Sequence, residues 1–135
     1  MPRAVGIDLG STRIGVAVSD PSGILASPYE VVARGEGAHA RLRAIVEEVG
    51  AEVAVVGLPL SLDGRKGKAA QLVEAEVAVL RESLGVPVEL YDERFTTVTA
   101  HQSLAAAGKR AKARRQIVDQ AAAAVLLQAW LDARG

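Results

Sequence analysis

With 135 residues, no cysteine and 16 basic residues against 16 acidic ones, the chain has room for one domain, no disulfide framework and no thiolate metal site. Half of it is hydrophobic but only 3% is aromatic, so Val, Leu, Ile and Ala have to fill the core. No stretch reaches the roughly 20 apolar residues of a membrane helix, and no N-terminal run has the flanks of a secretory signal, so the expectation is a cytoplasmic protein without a membrane partner.

In chain order, Ala4–Leu9 is a short apolar run that ends on Asp8 and Gly10, and Arg13–Ser19 alternates through Ile14, Val16 and Val18. With Gly10 and Ser11 between them, the two predict a β-hairpin. Pro21 and Gly23 make a second turn before a third strand over 24–33, in which Pro28 indicates an edge or a bulge. The period then changes. Leu42, Ile45, Val46 and Val49 fall on one helical face, with Gly50 as the stop. Val53 to Val56 is a continuous apolar run, as in a buried parallel strand, and 57–68 is a loop. Leu72, Val73, Val77, Leu80 and Leu84 predict a second helix, and 86–91 a strand. Thr96 or Thr97 can cap a helix to about Ala107, 108–115 is a basic connector, and 117–133 is a last helix, apolar on several sides. The order β-β-β-α-β-α-β-α-α predicts an α/β domain covering 1–135. Three strands form an antiparallel meander, and two later strands join in parallel through helices.

Three acids attract attention. Asp8 stands on an otherwise apolar strand, where a carboxylate is costly unless it is paired or binds a cation; a turn aspartate before Gly10 is the plainer alternative. Glu93 lies just past the last strand, where α/β sheets gather their ligands, although an acid paired with Arg94 reads equally well. Asp119 falls in the expected first turn of the last helix, a place that the helix dipole alone explains. If the three converge at about 5 Å, each like-charge pair costs roughly 3 kcal/mol at an effective dielectric near 20. Such a cluster calls for a cation, and hard oxygen donors suit Mg²⁺ or Mn²⁺. Two such ions can activate water and stabilise the leaving oxygen of a phosphodiester.

Five of the seven residues in 109–115 are basic: Lys109, Arg110, Lys112, Arg114 and Arg115. Arg65, Lys66 and Lys68 make a second cluster, and Arg13 and Arg94 adjoin the acids in sequence. All are candidates for holding backbone phosphates, a largely sequence-independent contact; solvated charge is the plainer reading of the clusters. His39 and His101 have no neighbours that suggest a nucleophile triad, and Trp130 and Phe95 are expected to be packing anchors.

Taken together, four segments resemble the YqgF (RuvX) family. They are Gly6-Ile7-Asp8-Leu9-Gly10 with Arg13-Ile14-Gly15-Val16-Ala17 and Ser19-Asp20; Gly57-Leu58-Pro59-Leu60 with Gly64; Asp92-Glu93-Arg94-Phe95-Thr96-Thr97; and Asp119-Gln120-Ala121-Ala122-Ala123 through Gln128. The resemblance implies an RNase H-like fold with a five-stranded mixed sheet. It also implies a metal-dependent nuclease acting on pre-16S rRNA 5′ ends or on Holliday junctions, with Asp8, Glu93 and Asp119 as both the catalytic and the metal-holding acids. Nucleic acid, as pre-rRNA or branched DNA, is the expected partner; ribosome association and a monomeric or weakly dimeric state stay open. Two other readings compete. One is a non-catalytic RNA- or ribosome-associated binder. The other is an actin-like nucleotide-binding protein, because Asp8-Leu9-Gly10-Ser11-Thr12 is similar to a phosphate hairpin, although such proteins need two such domains.

Overall fold

The computed structural model describes residues 2–61, 63–96 and 111–134, with the side chains of Phe95 and of 111–120 outside the description. Five strands form one sheet in the order β3-β2-β1-β4-β5: β1 (Ala4–Leu9), β2 (Arg13–Ser19), β3 (Ala26–Ala33), β4 (Val53–Leu58) and β5 (Val88–Asp92). The first three pair antiparallel, and β4 joins β1, and β5 joins β4, in parallel. Helices α1 (Ala38–Val49) and α2 (Lys68–Ser83) provide the crossovers, a 3₁₀ turn spans Glu93–Phe95, and α3 is Ala111–Arg134. None of the described helices is long and apolar enough to cross a membrane.

Strand alternation sorts the core into two layers. Val5, Ile7, Ile14, Val16, Ala54 and Val56 pack against α1 and α2 through Leu42, Ile45, Val73, Val77 and Leu80. Ala4, Ala17, Val53 and Val55 face α3 through Ala123, Leu126, Leu127 and Trp130. All six residues of β4 are buried, which is why its sequence is continuously apolar rather than alternating. Close approach of α3 to the sheet depends on Gly6: a β-carbon there would stand 2.8 Å from Leu127 Cβ and 2.9 Å from the Ala123 carbonyl oxygen.

The hairpin, the meander and the helix stop at Gly50 follow the sequence. Gly50 sits at φ +66°, and Ala51 N–H returns to the Val46 carbonyl at 2.9 Å. Pro28 lies on the edge strand, where the β2–β3 register slips between Val16 and Ala17, so that Tyr29 is the extra residue. The third strand starts at Ala26 rather than Ile24. The Asp20 carboxylate accepts the N–H groups of Ile24 and Leu25 at 2.8 and 3.0 Å and so holds both in the turn.

Elsewhere the sequence reading is corrected. The 57–68 loop is shorter at both ends, because β4 continues to Leu58 and α2 begins at Lys68. The buried stripe of α2 is Ala70, Val73, Val77 and Leu80, leaving Leu72, expected inside, 63% exposed. The last helix begins at Ala111. Lys112, Arg114 and Arg115 are therefore helical residues rather than part of a connector, and Asp119 stands in the third turn of the helix rather than the first. Its position is thus not explained by the dipole at the helix start, which fades within the first turn. The helix expected over 96–107, with His101, lies outside the described residues beyond Thr96.

Candidate active site

Asp8 is the fifth residue of β1 and half-buried. Its antiparallel partner on β2 is Gly15. On the other side, Ile7 pairs with Val56, so the next step of the parallel ladder brings Asp8 beside Gly57. The acid thus stands between two strand positions that have no side chain. Asp8 falls two residues after Gly6 and so projects to the α3 face, as do Gly57, two residues after Val55, and Arg13, two before Gly15.

Glu93 enters from the end of β5, on the other side of β4 from Asp8. It begins the 3₁₀ turn after β5, and its side chain lies over Gly57: a β-carbon on that glycine would come within 2.7 Å of Glu93 Cγ and 2.9 Å of Cδ. Two acids from β1 and from the end of β5 are therefore gathered about the backbone of β4, roughly one strand spacing of about 5 Å apart. At that separation their repulsion is of the order of 3 kcal/mol.

The turn that presents Glu93 is fixed by its neighbours. Asp92 caps it by accepting the Arg94 N–H at 2.9 Å, and the Thr96 N–H and hydroxyl both donate to the Glu93 carbonyl, at 3.0 and 3.2 Å. The Arg94 guanidinium folds back on Asp92, with Nε 2.8 Å and Nη2 2.5 Å from Oδ2, and this contact holds the Asp92 carboxyl below the usual carboxylate range. Gly64 lies beside the same guanidinium, where an added β-carbon would be in ordinary contact at 3.4 Å from Arg94 Nη1, and it is its φ of +85° that favours glycine there. Of the two glycines of the Gly57…Gly64 segment, Gly57 makes space for the Glu93 side chain and Gly64 supplies the left-handed turn beside Arg94.

Asp119 lies on α3, four residues before Ala123, whose carbonyl sits against Gly6. Gln128, further along α3, bonds Ala26 and Ile24 at the opposite end of the sheet, so the helix runs antiparallel to β1. The Asp119 position is therefore one turn beyond Ala123 toward the Asp8 end; its side chain is outside the described residues. Among the described residues no group of three or more His, Asp or Glu is placed to hold a metal ion.

The basic candidates divide. Arg13 shares the face of Asp8. Arg65 pairs with Asp63 at 3.0 Å and Lys66 with Glu74 at 2.8 Å, exposed pairs of small energetic worth. Lys68 opens α2. Lys109 and Arg110 lie outside the described residues, as do the side chains of Lys112, Arg114 and Arg115. Trp130 is 5% exposed and packs in the α3 layer, with Arg134 over its ring at 4.5 Å. Sequence reasoning quoted Gly15, Gly57, Gly64 and Thr96 as motif residues but gave none of them a part in the site. A glycine inside a strand pattern, such as Gly57, was the available signal.

A five-stranded mixed sheet of this order, covered on both faces and carrying acids at the carboxyl ends of β1 and β5, is the RNase H-like architecture of nucleases. Two solved structures share the fold. *Thermus thermophilus* RuvC in complex with a Holliday junction matches with a TM-score of 0.58 at 23% identity, over 99% of this chain and 96% of that one. The fowlpox virus Holliday junction resolvase matches with a TM-score of 0.56 at 7% identity, over 98% and 99%. A protein of *Mycolicibacterium paratuberculosis* (strain ATCC BAA-968 / K-10), named as a candidate pre-16S rRNA nuclease, is 51% identical over 98% of this chain and 81% of its own length. One of *Rhodococcus opacus* (strain B4) with the same name is 48% identical over 98% and 78%. The family model described as RuvX, Holliday junction resolvase, matches residues 2–133, and the chain belongs to that family of nucleases.

Proposed function

We propose that this chain is a metal-dependent endonuclease that trims the 5′ end of pre-16S rRNA, with Asp8, Glu93 and Asp119 as the acids of its active site. The observation that carries the reading is the Glu93 carboxylate laid over Gly57 beside Asp8. Like charges brought this close on a covered sheet face are stable when a cation or protons offset them. The donor chemistry fits a hard divalent cation such as Mg²⁺ or Mn²⁺: the acids offer only oxygens, and the chain has no cysteine. When bound, such an ion polarises a phosphoryl oxygen and lowers the pKa of water. The chain's own contribution is to present Glu93 on the turn that the Thr96 and Asp92 hydrogen bonds fix, to carry Asp8 on β1, and to place Arg13 on the same face for the phosphate backbone. Arg94 and the basic residues of 109–115 are proposed to extend that contact. The names of the relatives at about 50% identity favour pre-16S rRNA as substrate. The family description favours four-way DNA junctions as the second reading.

Cleavage of a pre-16S 5′ leader and of a four-way DNA junction, side by side with Mg²⁺ or Mn²⁺, tests both. Asp8→Asn should cost several kcal/mol of transition-state stabilisation, on the order of 10³-fold in rate, with the fold retained by circular dichroism. Normal cleavage by a clean preparation of that variant would remove Asp8 from the site. Cleavage of the junction alone would replace the RNA reading with the DNA one.

A further inference from the structure

At the same strand ends, but on the other face of the sheet from the acids, a cavity of about 180 Å³ opens between the β1–β2 tip and the head of α2. Leu9, Pro59, Leu72 and Val73 form its walls, and Arg34 and Glu76 its polar rim. Its volume is well below the roughly 300–1,000 Å³ of a site that encloses a whole drug-sized ligand, and it suits one planar heterocycle between aliphatic walls. Leu72, at 63% exposure, is the lip.

The rim is fixed. Arg34 Nη1 and Nη2 donate to the two Glu76 oxygens at 2.6 and 2.9 Å, His39 Nε2 lies 2.6 Å from Oε2, and Arg34 Nε donates to the Gly10 carbonyl at 2.9 Å. Burial pushes the Glu76 carboxyl up, but the bonds from Arg34 and His39 outweigh it and hold the group below the ordinary carboxylate range. Glu76 is thus an acceptor at neutral pH. Among the described residues its Oε1 takes one bond, which leaves a lone pair for a further donor.

Two features tie the cavity to a polynucleotide. Gly10, which lines it, donates its N–H to the Asp8 carbonyl at 3.0 Å, so the cavity and the acids stand back to back across the end of β1. Ala69, also in the wall, belongs to the first turn of α2, which has no side-chain cap and no acid, and which Lys68 begins. That positive helix end suits the phosphate of a nucleotide whose base is in the cavity.

We propose that the cavity receives one unstacked base of the substrate strand, a few nucleotides from the bond that is cut, with its exocyclic amino group on Glu76. This rests on the nuclease reading above and adds a positioning site on the opposite sheet face. 2-Aminopurine, which carries such an amino group and brightens when unstacked, can be placed singly at successive positions around the cut site of a pre-16S 5′ leader. The leader is then titrated with the Asp8→Asn chain. One position should brighten several-fold on binding. The rise should disappear when Ala69→Leu, a change at an exposed wall residue, fills the cavity, and should shrink with Leu72→Ala, both with unchanged melting temperature. A bound leader in which no position brightens, or a rise that survives Ala69→Leu, overturns the proposal. Cleavage of the plain leader by the unsubstituted chain is read in parallel. Cutting without brightening defeats this inference alone, brightening without cutting defeats the nuclease reading alone, and a leader that is not bound defeats both.

Discussion

Glu93 rests on Gly57: the space that a β-carbon on Gly57 would occupy is 2.7 Å from Glu93 Cγ and 2.9 Å from Cδ. The carboxylate is positioned by a missing side chain. Gly57→Ala should therefore displace Glu93 by a fraction of an ångström to an ångström and lower the cleavage rate on the order of 10²-fold, while overpacking costs about 1–3 kcal/mol of stability. Single-turnover cleavage beside a urea melt separates the two effects. A folded Gly57→Ala chain that cuts at the original rate would take Glu93 out of the chemistry.

Gly6 plays the corresponding part under α3. An added methyl meets Leu127 Cβ and the Ala123 carbonyl at less than 3 Å, and neither is the free end of a flexible side chain. Gly6→Ala should destabilise by about 1–3 kcal/mol, read as a lower urea midpoint. Gly35→Ala, where nothing lies within 4 Å of the new carbon, is the control and should leave the midpoint nearly unchanged.

The turn after β2 should show itself in acid. The Ser22 hydroxyl, then the Leu25 and Ile24 N–H groups, donate to Asp20 and lower its pKa from 3.8 to about 2. A carboxyl depressed in the folded state adds stability above its unfolded pKa and loses it as pH falls through the folded value. The Asp20 contribution is therefore present above about pH 4 and gone near pH 2. Melting temperatures measured across that range should fall less steeply for Asp20→Asn than for the unsubstituted chain; parallel curves would show that these bonds do not persist in solution.

Gln128 joins residues more than a hundred positions away. Its amide accepts from Ala26 N–H and donates to the Ile24 carbonyl, each at 2.9 Å. Gln128→Ala leaves both without that partner, and because the Ile24 bond is exposed and the Ala26 bond only part-buried, the expected loss is about 0.5–1.5 kcal/mol. Amide exchange at Ala26 should quicken in step, and an unchanged rate there would mean that water replaces the side chain at no cost.

Much of this architecture was legible because strand and helix periods differ. The hairpin, the buried run of β4 and the stop at Gly50 all follow from local pattern. The start of α3 did not, because the segment 111–116 advertises charge rather than an apolar face. Yet Ala, Lys, Arg and Gln are all strong helix formers, and propensity decided where pattern was silent. Leu72 misled for the opposite reason: an apolar residue one step off the true stripe reads as core until the helix start is known. Asp8 and Glu93 were each ambiguous alone, and no local signal could bring them together. What joins them is register, which puts Gly57 between them. The Arg34–Glu76–His39 cluster, spread over β3's end and two helices, was beyond sequence reading for the same reason.

The position of α3 as the last described element bears on when the protein can act. Among the described residues, α3 is the helix that covers Ala4, Ala17, Val53 and Val55, and a chain emerging at roughly 5–20 residues per second exposes this face throughout the synthesis of the described elements before it. The acids at the strand ends sit on the same uncovered face. A nascent or truncated chain lacking α3 therefore holds an open, aggregation-prone sheet rather than a working nuclease, and cutting is deferred until the helix has been made and folded down.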